Sequence, residues 1–192
     1  MRDINEKLDI LYDFLVDNYS TLKAELVDLI RNPSRIENSN KFSSLLSDLK
    51  DSSYIEPLLA QINLAENNDP WLTDFLYALI ELLDESSVND EFAMPKGLIN
   101  KLENWILDNT GELPWKAATL LKFYDSDQAA AIQLKKLDQE DFFLTHIECV
   151  LGLVRRNKAK YIELVGQIAK DQKRDEGLRN FCEEIINDAD HK

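Results

Sequence analysis

Apolar side chains recur every three or four residues along almost the whole chain, and this spacing constrains the fold more than any other feature. The clearest case follows Asp69 and Pro70. An aspartate is a favourable N-cap, and proline at the first helical position loses no hydrogen bond. The spacing predicts an amphipathic helix over residues 69–85. Its inward positions are Leu72, Phe75, Leu76, Leu79 and Leu83.

The same periodicity predicts helices elsewhere, and five glycines and five prolines leave few interruptions. The expected helices before residue 111 cover 3–18, 20–31, 40–50, 55–64 and 95–108. We expect the first two of these to form an antiparallel pair across a very short turn. Pro95 is expected to open a helix and Gly111 to end one. The polar stretch 84–94 predicts a loop.

From Pro114 onward the chain contains a weak internal repeat with a period of 31 residues. The coinciding apolar pairs are Leu120 with Leu151, Phe123 with Val154, Leu134 with Val165, and Leu137 with Ile168. Ser126 falls on Asn157, and both are good N-caps for the second helix of a unit. A second shift by 31 residues places Asp188 at the position of Asn157. Units of this size bury their apolar faces by stacking on one another.

The stretch Ala117 to Ala130, followed by Ile132, Leu134 and Leu137, resembles a HEAT-type repeat. The shared pattern is an alanine- and leucine-rich helix, a short turn containing aspartate, and a second such helix. The resemblance implies an all-α fold of stacked antiparallel helix pairs, a HEAT/armadillo-like α-solenoid that binds proteins. We expect one domain over residues 1–192. Residues 1–111 would form irregular acidic helix pairs, and residues 112–188 would form HEAT-like repeats.

Charge narrows the class of partner. The formal net charge is −14, and the segment from Asp51 to Pro95 contains ten carboxylates and no lysine or arginine. Such a surface repels nucleic-acid phosphates and anionic membranes, and it attracts basic proteins. The one basic cluster begins at Arg155 and Arg156, where we expect a solvated turn. The sequence therefore predicts a basic protein partner, with no nucleic acid and no membrane.

The candidate partner-binding residues lie in this acidic segment. They are Asp69, Trp71, Asp74, Tyr77, Glu81, Asp84, Glu85, Asp90 and Glu91. No lysine stands four residues from the helical acids, so we expect their field to accumulate on one face. The alternative is a solvated acidic face without a partner. For each of Trp71, Trp105 and Trp115, the alternatives are an exposed binding residue and a core residue.

The sequence does not indicate a catalytic site or a metal-binding site. His146 and Cys149 are spaced to share a helix face, but no third orienting group accompanies them, and we expect a structural role. No metal or cofactor motif occurs, so we expect no enzymatic activity. Cys149 and Cys182 lie in apolar segments, which favours buried reduced thiols and a cytoplasmic location. The amino-terminal residues do not resemble a secretory signal, and no apolar run has the length of a membrane span.

These expectations lead to two hypotheses about function. The first is a small cytoplasmic inhibitor that occupies the basic cleft of a cognate toxin, which we expect to be a nuclease. Small acidic helical proteins of this kind resemble the immunity proteins of bacterial toxin systems such as contact-dependent growth inhibition. The second hypothesis is a HEAT-repeat adaptor or scaffold without an inhibitory role. A one-to-one, salt-sensitive complex would favour the first, and several weaker partners would favour the second.

Overall fold

The computed structural model describes residues 4–85, 94–95 and 97–190, and every regular element within these ranges is helical. The chain is therefore all-α, as predicted. The helices are α1 (Ile4–Arg31), α2 (Ser39–Leu49), α3 (Ile55–Leu64), α4 (Leu72–Glu85), α5 (Leu98–Leu107), α6 (Glu112–Leu121), α7 (Asp127–Leu137), α8 (Phe143–Lys170) and α9 (Glu176–Asp190). None of the described helices is long and apolar enough to cross a membrane.

The predicted antiparallel pair at the amino terminus is wrong, because α1 is one continuous helix of 28 residues. No glycine or proline interrupts residues 18–20, and the polar residues there disfavour a helix only slightly. A tertiary contact also holds this position. The Tyr19 hydroxyl donates to Asp51 Oδ2 at 2.7 Å, and Lys23 Nζ lies 2.9 Å from the same oxygen. These contacts attach α1 to the turn that precedes α3.

The bounds of α2 and α3 match the predicted ones closely, but each of the two helices packs against α4. Asn38 caps α2 by accepting the Lys41 N–H at 2.9 Å. Lys50 ends the helix in the left-handed conformation, with φ of 51°. Helix α4 then packs against α2, α3 and α6, so its apolar side chains are buried from several directions. It is the most enclosed helix of the amino-terminal half.

In the carboxyl-terminal half, helices begin after the two caps predicted at Ser126 and Asn157. Ser126 caps α7 through Ala129 N at 3.1 Å, and Asn157 Oδ1 accepts the Lys160 N–H at 3.0 Å. Asn157 departs from helical geometry, with φ of −159°, and divides α8 into residues 143–156 and 158–170. Both predicted caps are confirmed. Asp188 is not such a cap, because α9 continues through it to Asp190.

Two other predicted boundaries shift. Pro95 lies in a turn before α5, where its carbonyl accepts the Leu98 N–H at 3.0 Å. Gly111 does not end α5, which stops at Leu107. It stands immediately before α6 with φ of 92°, a conformation that glycine adopts at little cost.

Cross-contacts show that α4, α6 and the first half of α8 run parallel as neighbours. Lys116 of α6 reaches Tyr77 of α4, and further along Lys122 reaches Asp84. In the same direction, Trp115 of α6 contacts Phe142 beside the start of α8. Helices α5 and α7 are also neighbours, joined by the Gln128 Nε2 to Asn100 Oδ1 hydrogen bond of 2.9 Å. The face of α4, α6 and α8 positions the candidate site.

Candidate protein-binding surface

The predicted binding residues begin in the turn before α4, where the structure uses two of them internally. The Asp69 carboxylate accepts the Glu66 N–H at 2.7 Å, and α4 begins at Leu72, two residues after Pro70. The helix therefore starts two residues later than predicted, since Pro70 was expected to be its first residue. Trp71 is 8% exposed, and its ring centre lies 4.9 Å from that of Phe75. Trp71 is a core residue and offers little surface to a partner.

Two acids on α4 make contacts with other segments that the local sequence did not indicate. Asp74 accepts a hydrogen bond from the Ser39 hydroxyl, which ties α4 to the start of α2. Asp84 Oδ2 lies 3.4 Å from Lys122 Nζ. Glu81 is half-buried. The side chain of Glu85, together with Asp90 and Glu91, lies outside the described residues, so the structure does not place these three candidates.

The cations that the acidic segment lacks are supplied by α6. Lys122 approaches Asp84, and Lys116 Nζ lies 5.0 Å from the ring centre of Tyr77. Burial raises the pKa of Glu148, on the neighbouring part of α8, while the Lys122 charge opposes that shift. The expectation that no cation neutralises α4 is therefore incomplete. Helix packing places lysines beside α4, which cannot be predicted from residues four positions apart in the same helix.

A line of partly exposed aromatic rings crosses the three parallel helices. Lys116 Nζ lies 4.0 Å from the Trp115 ring centre while also facing Tyr77, so one ammonium group bridges two rings. Trp115 meets Phe142 edge-on at 6.3 Å, and Phe142 meets Phe143 at 5.2 Å. We call these five residues the aromatic ridge: Tyr77, Trp115, Lys116, Phe142 and Phe143.

Exposure distinguishes the aromatic ridge from the core. Phe142 is 44% exposed, and Tyr77, Trp115 and Phe143 are half-buried. Acids accompany the ridge along the chain: exposed Glu112 lies one turn before Trp115, and exposed Glu140 lies two residues before Phe142. Large aromatic rings with acids at their margin suit a partner that presents arginine and lysine side chains.

A buried ion pair positions the carboxyl-terminal end of the ridge. Lys136 Nζ lies 2.6 Å from Asp141 Oδ2. The other Asp141 oxygen, Oδ1, accepts the Phe142 N–H at 2.6 Å and the Gly111 N–H at 3.4 Å. Asp141 thus fixes the backbone of Phe142 against the turn that precedes α6. Two of these contacts, to Lys136 of α7 and to Gly111 before α6, tie Asp141 to other segments, which gives the ridge a rigid support.

The sequence analysis considered Trp115 and included Tyr77, but it missed Phe142 and Phe143. For each of the three tryptophans, the sequence left open whether the residue is exposed or part of the core. The structure buries Trp71 and Trp105 and leaves Trp115 partly exposed. The available signal for Phe142 was an aromatic pair directly after Asp141, in the segment that precedes His146. Side chains at a first helical turn lack a preceding turn to cover them, which favours exposure.

His146 and Cys149 are both buried, in surroundings that oppose catalysis. Burial raises the pKa of Cys149 to about 12. Burial, reinforced by the charge of Arg174, lowers the pKa of His146. A cysteine nucleophile needs the opposite shifts, with a thiolate beside an imidazolium. Among the described residues, no cluster of three or more histidine, cysteine or acidic side chains is arranged to hold a metal ion.

Comparison with known proteins gave no match to a protein family, a curated protein or a solved structure.

Proposed function

We propose that this chain is a protein-binding inhibitor, an immunity protein that neutralises a basic cognate toxin by occupying its cleft. The observation that carries the proposal is the aromatic ridge, which presents Tyr77, Trp115 and Phe142 across three parallel helices. Aromatic side chains dominate the binding energy of many protein interfaces. Their exposure in a line, on a rigid support, is typical of a binding surface rather than a core.

The charge of the chain supports a basic partner. A net charge of −14 accelerates the approach of a positively charged protein and slows that of nucleic acid. Nuclease domains carry basic clefts because their substrate is anionic. An acidic protein that fills such a cleft excludes the substrate without any chemistry of its own. A nuclease toxin is therefore the partner that we propose, bound without cofactor or metal.

The binding surface that we propose differs in part from the one expected from sequence. It retains Tyr77, Glu81 and Asp84 of the acidic segment and adds Trp115 and Phe142. Trp71 is left out because it is buried, and Asp69 and Asp74 because they hold internal hydrogen bonds. A partner residue over the ridge would meet aromatic rings first and the flanking carboxylates second.

The architecture that we propose is a HEAT-like stack of antiparallel helix pairs. Its support is the parallel order of α4, α6 and the first half of α8, together with the matching caps at Ser126 and Asn157. Repeated helix pairs align equivalent helices into one continuous face, and such faces bind proteins. Two buried free thiols, Cys149 and Cys182, support a reducing cytoplasmic location.

The alternative function is a general HEAT-repeat adaptor. The same ridge favours it as far as protein binding is concerned, since a scaffold also needs exposed aromatic residues. The two functions differ in stoichiometry and consequence. An inhibitor forms one tight complex and abolishes the partner's activity, whereas an adaptor binds several partners and leaves their activities intact.

The deciding experiment uses the reading frame encoded immediately upstream of this gene. Its product is co-expressed with the chain, and the complex is purified and assayed for stoichiometry and nuclease activity. We expect a one-to-one complex, no nuclease activity in the complex, and faster recovery of activity on dilution of the complex with the Trp115→Ala variant. A product that neither binds nor harms cells would reject the inhibitor function. Circular dichroism of Trp115→Ala confirms that loss of binding is not loss of folding.

A further inference from the structure

A pocket of about 300 Å³ opens where α6 and the first half of α8 end. Its lining residues are Lys122, Phe123, Tyr124, Asp125, Arg155 and Arg156. A volume of this size is at the lower end of the range for small-molecule sites. The pocket lies at the opposite end of these helices from Trp115 and Phe142, so it is separate from the aromatic ridge.

The lining carries three cations and one carboxylate, which is unusual in a chain of net charge −14. Lys122 Nζ and the Arg155 guanidinium carbon lie 5.3 and 5.2 Å from the ring centre of Phe123. Phe123 therefore holds two like charges beside the same cavity. Lys122 Nζ also lies 3.4 Å from Asp84 Oδ2, so a carboxylate already balances part of this charge.

The carboxylates nearby only partly balance these cations. Arg156 Nη2 lies 2.8 Å from Asp127 Oδ1, and its Nε lies 3.7 Å from Asp125 Oδ1, but both aspartate side chains are exposed. Nη1 of the same guanidinium is buried and has no hydrogen-bond partner. In the described part of the chain, no carboxylate lies within ion-pair distance of Arg155. The pocket thus has donors left over for a ligand.

Cations at helix ends also have a local role, because the last turn of a helix carries partial negative charge. That role accounts for a basic residue at the end of α6 and of residues 143–156. It does not require that these residues share a cavity, nor that an arginine N–H group be buried without an acceptor. Leaving such a donor unpaired costs free energy, so the arrangement calls for an acceptor inside the pocket.

We propose that this pocket binds a small molecule that bears a phosphate group. Arginine presents paired N–H donors that match phosphate oxygens, and lysine adds a point charge. In this assignment Arg155 and Arg156 donate to the phosphate oxygens, and Lys122 completes the charge balance.

Isothermal titration of the full chain with pyrophosphate tests the assignment, with sodium chloride holding ionic strength constant. We expect saturable binding at one site. Arg155→Gln should weaken it about tenfold, because it removes a charged two-donor contact. The matched control is Lys160→Gln, which lies on the same basic segment but outside the pocket lining, over Tyr161. The control should leave the affinity unchanged.

Two results would overturn the assignment. One is binding that fails to saturate, and the other is equal weakening by Arg155→Gln and Lys160→Gln, which indicates general electrostatic attraction. Citrate serves as the competing anion, because its carboxylates carry a charge similar to that of pyrophosphate but lack the geometry of a phosphate group. Tighter binding of citrate than of pyrophosphate would reject the phosphate assignment. The titration needs no protein partner, so its outcome is independent of the inhibitor function.

Discussion

Lys136 Nζ lies 2.6 Å from Asp141 Oδ2, and the two side chains are only 1% and 2% exposed. Lys136 Nζ also lies 3.5 Å from the Asn109 carbonyl, while Asp141 accepts N–H groups from Gly111 and Phe142. The pair therefore joins the end of α7, the start of α8 and the turn between α5 and α6. Buried ions are costly to desolvate, so each depends on the other.

Replacing Lys136 by methionine should destabilise the fold by about 3–5 kcal/mol, because it leaves the Asp141 carboxylate buried and unpaired. Urea unfolding followed by circular dichroism measures the change. The double variant Lys136→Met with Asp141→Asn should recover much of the loss, since asparagine keeps an acceptor for the two N–H groups without a charge. A double variant as unstable as the single one would contradict the ion-pair explanation.

The local features of this fold were predictable from sequence. Ser126 and Asn157 are caps whose effect reaches only three residues, to Ala129 and Lys160, so residue type and apolar spacing were sufficient. The bounds of α2 and α3 follow from the same kind of signal. Helical periodicity also placed the inward side of α4 correctly, as the full burial of Phe75 shows.

What the sequence did not predict depends on contacts between distant segments. The Tyr19 hydroxyl meets Asp51, 32 residues away, and α1 continues where a turn was expected. Lys122 reaches Asp84 across 38 residues, which places positive charge on a segment that contains none. In the candidate surface, the partial exposure of Tyr77 agrees with the helix face predicted for it. Phe142 was missed because its exposure depends on how Asp141 fixes the adjoining turn.

Stability should fall as pH rises above about 9, because the folded chain retains thiol protons that the unfolded chain loses. Burial raises the pKa of Cys149 to about 12 and that of Cys182 to about 11, from an unfolded value near 9. Between pH 9 and the raised pKa of each thiol, that thiol lowers the free energy of unfolding by about 1.4 kcal/mol per pH unit. Urea unfolding of Cys149→Ala should show a shallower alkaline slope than the parent. Equal slopes would contradict the raised pKa.

Truncation of the aromatic ridge should act on dissociation of the proposed complex with a basic toxin. Tyr77→Ala and Trp115→Ala should each cost about 2 kcal/mol of binding free energy, expressed mainly as faster dissociation in surface plasmon resonance. The control is Leu134→Ala on α7, which removes a side chain that is 38% exposed outside the ridge. If all three variants dissociate equally fast, or none does, the ridge is not the contact surface.

Charge reversal should instead act on association. Replacing Glu81 and Asp84 by lysine removes carboxylates that attract a basic partner, so binding should slow and its salt dependence should flatten. The control is reversal of Arg155 and Arg156 to glutamate, at the opposite end of the helix layer from Trp115, which should not slow association because it removes no carboxylate. Stopped-flow measurements at several salt concentrations compare the two. A slower association in the control alone would indicate that the partner docks on the basic end, and the basic-toxin proposal would lose its electrostatic support.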